Sequence, residues 1–242
     1  MYTLKQVLKS FRGASSIREV VYQNLASLYI VFGLANYTNF RPEQVNILSL
    51  LTGLVSAVLY GMGPLYYIPA ILMHEISYIL DASDGKLARL KDEVTSFGAQ
   101  LDNFRDKSVH ILSLFGLVYG TYATNHDRRI ILIGLLYAFL MLSNNYLAFS
   151  LVKRLSRNPI YGFSFVSSQS LTGRLTNLRI GKTQVIPIPT VAEWLFIIFV
   201  IGPLFNQVLI CLILACILVL TSSCFFVYKI ISFKRTPPYL AK

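Results

Sequence analysis

Apolar residues gather into six long blocks, at about 45–62, 65–84, 100–122, 129–151, 189–206 and 208–230. Each approaches the ~20 residues that an α-helix needs to cross a hydrocarbon layer. Polar turns or breaks separate them. The pattern predicts an all-α integral membrane protein: a six-helix bundle over 45–230, an N-terminal segment over 1–44 and a tail over 231–242. The block at 189–206 is short and begins near Glu193. A further apolar stretch, residues 20–37 (VVYQNLASLYIVFGLANY), is interrupted by Gln23, Asn24, Ser27 and Asn36. It reads as an amphipathic helix lying along the membrane interface. No small-residue cleavage site follows a short apolar core, so a cleavable signal peptide is not expected.

Composition agrees with a membrane class: 55% of the 242 residues are hydrophobic and 14% are charged. The length suits one bundle without a second soluble domain. Charge then orients it. Lys5, Lys9, Arg12, Arg18 and Arg41 precede the first block, and Lys86, Arg89, Lys91, Arg105 and Lys107 surround the connection between the second and third. Lys153, Arg154, Arg157, Arg174, Arg179 and Lys182 fill the loop 152–188, and Lys229, Lys234, Arg235 and Lys242 mark the tail. Six alternating spans put all of these on one side and leave Arg128 and Arg129 on the other. The positive-inside rule makes the crowded side cytoplasmic, with both termini there. A seventh span over 20–37 would export four of the cations and spoil the asymmetry. The net charge of +11 is spread around membrane spans, which favours anionic lipid headgroups and phosphorylated substrates over nucleic acid.

Carboxylates are expensive at membrane depth and mark function when they persist there. Four stand at the ends of the second and third blocks, in the string Asp81-x2-Asp84-Gly85-x2-Ala88-Arg89-x8-Gly98-x3-Asp102-x3-Asp106. At 100° per residue, Asp81, Asp84, Gly85 and Ala88 share one helix face, and Gly98, Asp102 and Asp106 share another. The polar residues of 90–97 predict a turn that folds the two helices back antiparallel, so that the four carboxylates converge. Left bare they would repel one another, and an all-oxygen donor set suits Mg²⁺ or Mn²⁺.

These eight fixed positions over 26 residues resemble the signature of the CDP-alcohol phosphotransferases, membrane enzymes that move a substituted phosphate from a CDP-linked donor onto an alcohol and release CMP. The resemblance implies that Asp81, Asp84 and Asp102 are metal ligands and that Asp106 is the general base, sharing a metal. It implies two Mg²⁺ or Mn²⁺ ions. Gly85, Ala88 and Gly98 would let the nucleotide approach the helices closely, and Arg89 would contact phosphate oxygens. A Pro-Asn-x-x-Thr element common in the family is not cleanly matched by Pro42, Asn46 and Thr52, and nothing is carried over from it. The favoured donor is CDP-diacylglycerol, with an alcohol or phosphorylated polyol as acceptor and a role in phospholipid biosynthesis. The alternative donor is a water-soluble CDP-alcohol such as CDP-choline, CDP-ethanolamine or CDP-inositol. A homodimer is a family expectation, although the last spans show no clear packing motif.

Two other classes are weighed against this one. A divalent-cation transporter would carry acidic residues through the bilayer midplane, whereas these cluster at one end beside a glycine-arginine element. An intramembrane prenyltransferase would space its aspartates D-x3-D in both clusters, which Asp81-x2-Asp84 does not. His74 and His110 read as packed or hydrogen-bonded interior histidines, and Glu75, Asn144 and Asn145 as interhelical hydrogen-bonding groups. For the aspartates, structural salt bridges with Lys86, Arg89, Arg105 and Lys107 are the alternative to a metal site, outweighed by the full match of spacing. Arg105 and Lys107 otherwise read either as part of an acceptor pocket or as ordinary positive-inside charge. Cys211, Cys216 and Cys224 have no C-x-x-C spacing and read as small hydrophobes.

Overall fold

In the computed structural model, residues 1–11, 18, 22–155, 179–180, 183–184 and 191–235 are described. Arg12, Arg157, Arg174, Lys182 and Lys242, which figured in the charge pattern, lie outside them. Among the described residues, the α-helices of six residues or more are α1 (Leu4–Lys9), α2 (Asn24–Tyr37), α3 (Pro42–Gly61), α4 (Tyr67–Lys91), α5 (Ser96–Asn125), α6 (Arg128–Leu155), α7 (Val191–Phe196) and α8 (Val208–Arg235). A two-residue antiparallel pair, β1 (Arg179–Ile180) and β2 (Thr183–Gln184), lies between α6 and α7. Three helical stretches are long and apolar enough to cross a membrane: Pro42–Gly61, Arg128–Ser150 and Val208–Tyr228. The second and third predicted blocks sit within α4 and α5, whose charged residues lower their apolar character. The fifth is a shorter apolar helix, Glu193–Leu204.

Local chemistry sets the boundaries. Pro42 opens α3 in the first helical turn, where a missing N–H costs nothing, and the Arg41 N–H donates to Gln44 Oε1 at 2.9 Å. Gly63, at φ 93°, leads out of α3 in a conformation that favours glycine. Helix α4 does not stop near residue 84, as the apolar block predicted, but runs on to Lys91 and closes with Asp92 in the left-handed region. An apolar block records contact with hydrocarbon, whereas helical periodicity continues into Leu87, which is buried with Val7, Val31 and Val45. The expected turn over 90–97 is correspondingly tighter. Thr95 caps α5 by accepting from the Gly98 N–H at 2.9 Å.

Helix α3 is the axis of the site, packing along both α4 and α5. Ser49 and Ser77 exchange hydroxyl-to-carbonyl hydrogen bonds at 2.8 and 2.7 Å, and Ser56 donates to the Ala70 carbonyl at 2.9 Å. Against α5 the fit is closer still. A Cβ on Gly116 would come within 2.1 Å of the Ala57 carbonyl oxygen, and one on Gly120 within 2.1 Å of that of Tyr60. Gly116-x3-Gly120 therefore brings two backbones together as small-residue motifs do in membrane bundles. Directly after α7 the chain widens into a π-turn over Ile197–Ile201 before Pro203. Pro203 has no N–H to give the Phe199 carbonyl, and the buried Tyr60 hydroxyl donates to it instead. Helix α8 packs on α6, where Ser223 Oγ donates to the buried Asn144 Oδ1 at 3.0 Å.

Apolar side chains also cover the outside. Leu51, Val55 and Val58 of α3, Leu132, Leu135 and Phe139 of α6, and Ile210, Leu214 and Ile217 of α8 are exposed. Helix α2 shows the same inversion: Leu25 and Tyr29 face outward, while Ser27 is buried and accepts from Lys86 Nζ at 2.6 Å. Arg18, ahead of α2, pairs with Glu75 of α4, which also accepts from the Tyr22 hydroxyl. Burial and the bond to Glu75 push the Tyr22 hydroxyl up to about 12. Cys211 and Cys216 are buried and Cys224 is exposed, all three as free thiols.

Candidate active site

The aspartates come together where α4 and α5 face one another beside α3. Carboxylate oxygens of Asp81, Asp102 and Asp106 all lie within 4.8 Å of one another. Asp84, one turn beyond Asp81, is buried and accepts from Asn46 Nδ2 at 2.6 Å. Three of the four predicted carboxylates thus form one cluster, and the fourth is anchored to α3 at its edge. Helices α4 and α5 make few direct approaches of their own; α3 and the side chains of the cluster join them.

Arg105 is the countercharge. Its guanidinium is fully buried, with Nη1 2.9 Å from Asp81 Oδ1 and 2.7 Å from Asp106 Oδ1. Nη2 donates to the Ser77 carbonyl at 2.9 Å and to Ser77 Oγ at 2.8 Å. The Tyr78 ring lies 5.6 Å from the guanidinium carbon. Arg105 is therefore not a solvated surface charge but pairs with two of the aspartates. Lys107 is exposed and lines an open groove of 810 Å³ on α5 with Gln100, Asn103, Phe104 and Ile111.

The small residues and Arg89 lie on the turns that flank the cluster. A Cβ on Gly85 would touch only the Arg89 guanidinium, at 3.5 Å. Arg89 Nε donates to the Ser10 carbonyl at 2.8 Å, so the N-terminal segment reaches the site. Ala88 is half-buried on the same stretch. Gly98 sits in the first turn of α5, where an added Cβ would press to 3.0 Å on Thr95 Oγ1. Deeper in the bundle, His110 Nε2 shares a 2.7 Å hydrogen bond with the Tyr78 hydroxyl. His74 is fully buried, its ring 4.7 Å from that of Phe199.

Asn46 and Ser77 were not singled out for the site by sequence. A signal existed on α3, where Asn46, Ser49, Gly53 and Ser56 recur on one helical face within an apolar block. That stripe faces α4 and α5. Thr52 turns away and donates to the Leu48 and Ser49 carbonyls at 3.0 and 2.9 Å.

The family model for CDP-alcohol phosphatidyltransferases matches residues 41–221, which include the whole carboxylate cluster. The chain belongs to the CDP-alcohol phosphatidyltransferase family. Among curated proteins it is 35% identical over 80 residues to the bifunctional IPC transferase and DIPP synthase of Aquifex aeolicus. That match takes in 32% of this chain and spans only 18% of the relative's length. Among solved structures, the fold is similar to that of Mycobacterium tuberculosis phosphatidylinositol phosphate synthase with CDP-DAG bound. The TM-score is 0.62 at 16% identity, covering 90% of this chain and 98% of that one. The same synthase in complex with manganese and citrate also gives a TM-score of 0.62, at 16% identity over 89% and 92% of the two chains. This family member thus shares the helical fold of that synthase, with its own aspartates on α4 and α5.

Proposed function

We propose that this protein transfers a phosphatidyl group from CDP-diacylglycerol to a hydroxyl acceptor and releases CMP. The observation that carries this reading is the convergence of Asp81, Asp102 and Asp106 from two helices in a chain whose family is shown. The donor set is wholly carboxylate, as a hard divalent cation prefers. Asp81, Asp84 and Asp102 would hold Mg²⁺ or Mn²⁺, with Asp106 in reach. Such an ion, when bound, supplies charge stabilisation at the pyrophosphate oxygens.

The chain's own groups do the rest. The acceptor hydroxyl oxygen bonds to the phosphorus that bears the diacylglycerol, while the bond from that phosphorus to the CMP oxygen breaks and CMP leaves with the electron pair. The hydroxyl proton passes to the Asp106 carboxylate. Asp106 is the most exposed of the two carboxylates that Arg105 holds, which suits a group that must meet an incoming acceptor. Arg89, along the open face of Gly85, contacts donor phosphate. No enzyme-bound phosphoryl intermediate is formed.

The membrane arrangement belongs to the same reading. All six apolar blocks span, α4 and α5 being admitted because their charged ends lie at the interface. Helix α2 lies along that interface, and the cation-rich side faces the cytoplasm. The outward apolar faces give acyl chains a lateral route to the site. A second reading, transfer from a water-soluble CDP-alcohol, is kept on one observation: the curated relative is named for IPC transferase and DIPP synthase, not for phosphatidyl transfer. Purified protein in lipid, supplied with Mn²⁺ or Mg²⁺, distinguishes them. CMP is expected with CDP-diacylglycerol plus an alcohol or polyol phosphate. CMP only with CDP-inositol or CDP-choline would reverse the donor, and absence of CMP with every CDP donor would reject the reaction class in favour of cation transport or another activity.

A further inference from the structure

Arg105 is an unusual neighbour for a metal site, because a guanidinium is always charged and this one stands inside the carboxylate cluster. Its Nη1 lies between Asp81 Oδ1 of α4 and Asp106 Oδ1 of α5, at 2.9 and 2.7 Å. Bridging two carboxylates from two helices is the task that a shared divalent cation performs in a two-metal site. Resting on the reading of these aspartates as a metal centre, we propose that Arg105 permanently takes the place of one divalent cation, so that this protein binds a single ion.

The guanidinium is built in rather than visiting. It has no exposure to solvent, and Nη2 is held by both the carbonyl and the hydroxyl of Ser77. Ser77 is itself locked to Ser49 of α3 by two reciprocal hydrogen bonds. Swinging Arg105 outward would break this network across three helices and leave the partly buried Asp81 and Asp106 without a countercharge. A second dication sharing Asp81 or Asp106 would face the fixed guanidinium a few ångströms away, in surroundings where repulsion is weakly screened. Asp102, the second oxygen of Asp81, and Asp84 at the edge of the cluster remain for one ion. Arg105 is thus a positioning residue: it holds the base Asp106 and the ligand Asp81 in fixed relation on separate helices.

The test is Mn²⁺ binding to the full chain in zwitterionic detergent, by equilibrium dialysis and electron paramagnetic resonance at saturation. The wild type is expected to bind one ion per chain, with the resolved hyperfine pattern of an isolated Mn²⁺. Arg105→Gln is expected to bind two, with the broadened signal of a coupled pair, and Arg105→Lys to stay at one. Two coupled ions in the wild type, or a single ion in a folded Arg105→Gln, would overturn the proposal. If Arg105→Gln does not fold, the wild-type stoichiometry decides alone. No bound ion at all would instead reject the metal reading on which the proposal rests.

Discussion

Asp106 and Asn46 divide the work at the cluster. Asp106 is reached by Arg105 but keeps the more open position, as a proton acceptor for an outside alcohol requires. Replacing Asp106 with Asn keeps shape and removes the proposed base, so turnover should fall by about 10²–10⁴-fold while the donor still binds. Near-normal turnover of Asp106→Asn would assign the proton elsewhere. Asn46 acts through Asp84, orienting a buried carboxylate by a 2.6 Å hydrogen bond. Outer partners of this kind typically matter by 10–100-fold in metal affinity. The Mn²⁺ concentration for half-maximal activity should therefore rise about 10-fold in Asn46→Ala, with little change in turnover at saturating metal. An unchanged metal requirement would limit Asn46 to packing.

At the scale of elements, the site depends on how closely α3 can approach its neighbours. The carbonyls of Ala57 and Tyr60 occupy the space that side chains at 116 and 120 would need. Gly120→Val must push α3 and α5 apart, and overpacking of this sort costs about 1–3 kcal/mol. The unfolding midpoint in detergent should drop by roughly 2–10 °C, with activity lost at temperatures where the wild type still works. An unshifted midpoint would mean that the helices part without cost. The periods of the aspartates on α4 and α5 were legible because one helix fixes its own faces. The polar stripe on α3 was legible only in principle, since which helix it meets depends on packing. Pairing of Arg105 with the aspartates was weighed and set aside, because sequence shows its charge and not that Ser77 and two carboxylates enclose it. Gly116-x3-Gly120 hid within an apolar block, where small residues interrupt nothing.

Across the whole molecule, polar groups are buried beside an apolar core while large apolar side chains also cover the outside, unlike a soluble bundle. Asn46, Ser49, Ser56, His74, Arg105 and Asn144 are buried, while leucines of α3, α6 and α8 and Phe139 of α6 are exposed. Block lengths and charge asymmetry made this class legible early; the extension of α4 and the departure of α7 into a π-turn were not, because hydropathy is blind to helix ends and to the bond that replaces the one lost at Pro203. The proposed cytoplasmic orientation of the site has a direct check. With Cys211, Cys216 and Cys224 replaced by Ala, a membrane-impermeant thiol reagent outside intact cells should label Asn125→Cys and spare Val94→Cys, which lies in the turn between α4 and α5. Labelling of Val94→Cys from outside would invert the bundle.

The central claim is direct transfer at the carboxylate cluster, and single-turnover CMP release tests it most directly. Protein in excess over CDP-diacylglycerol, with Mn²⁺ present, should release CMP only when an accepting alcohol or polyol phosphate is added, and chelation should stop it. A burst of CMP stoichiometric with the protein in the absence of any acceptor would contradict direct attack and require a covalent phosphoryl-enzyme instead.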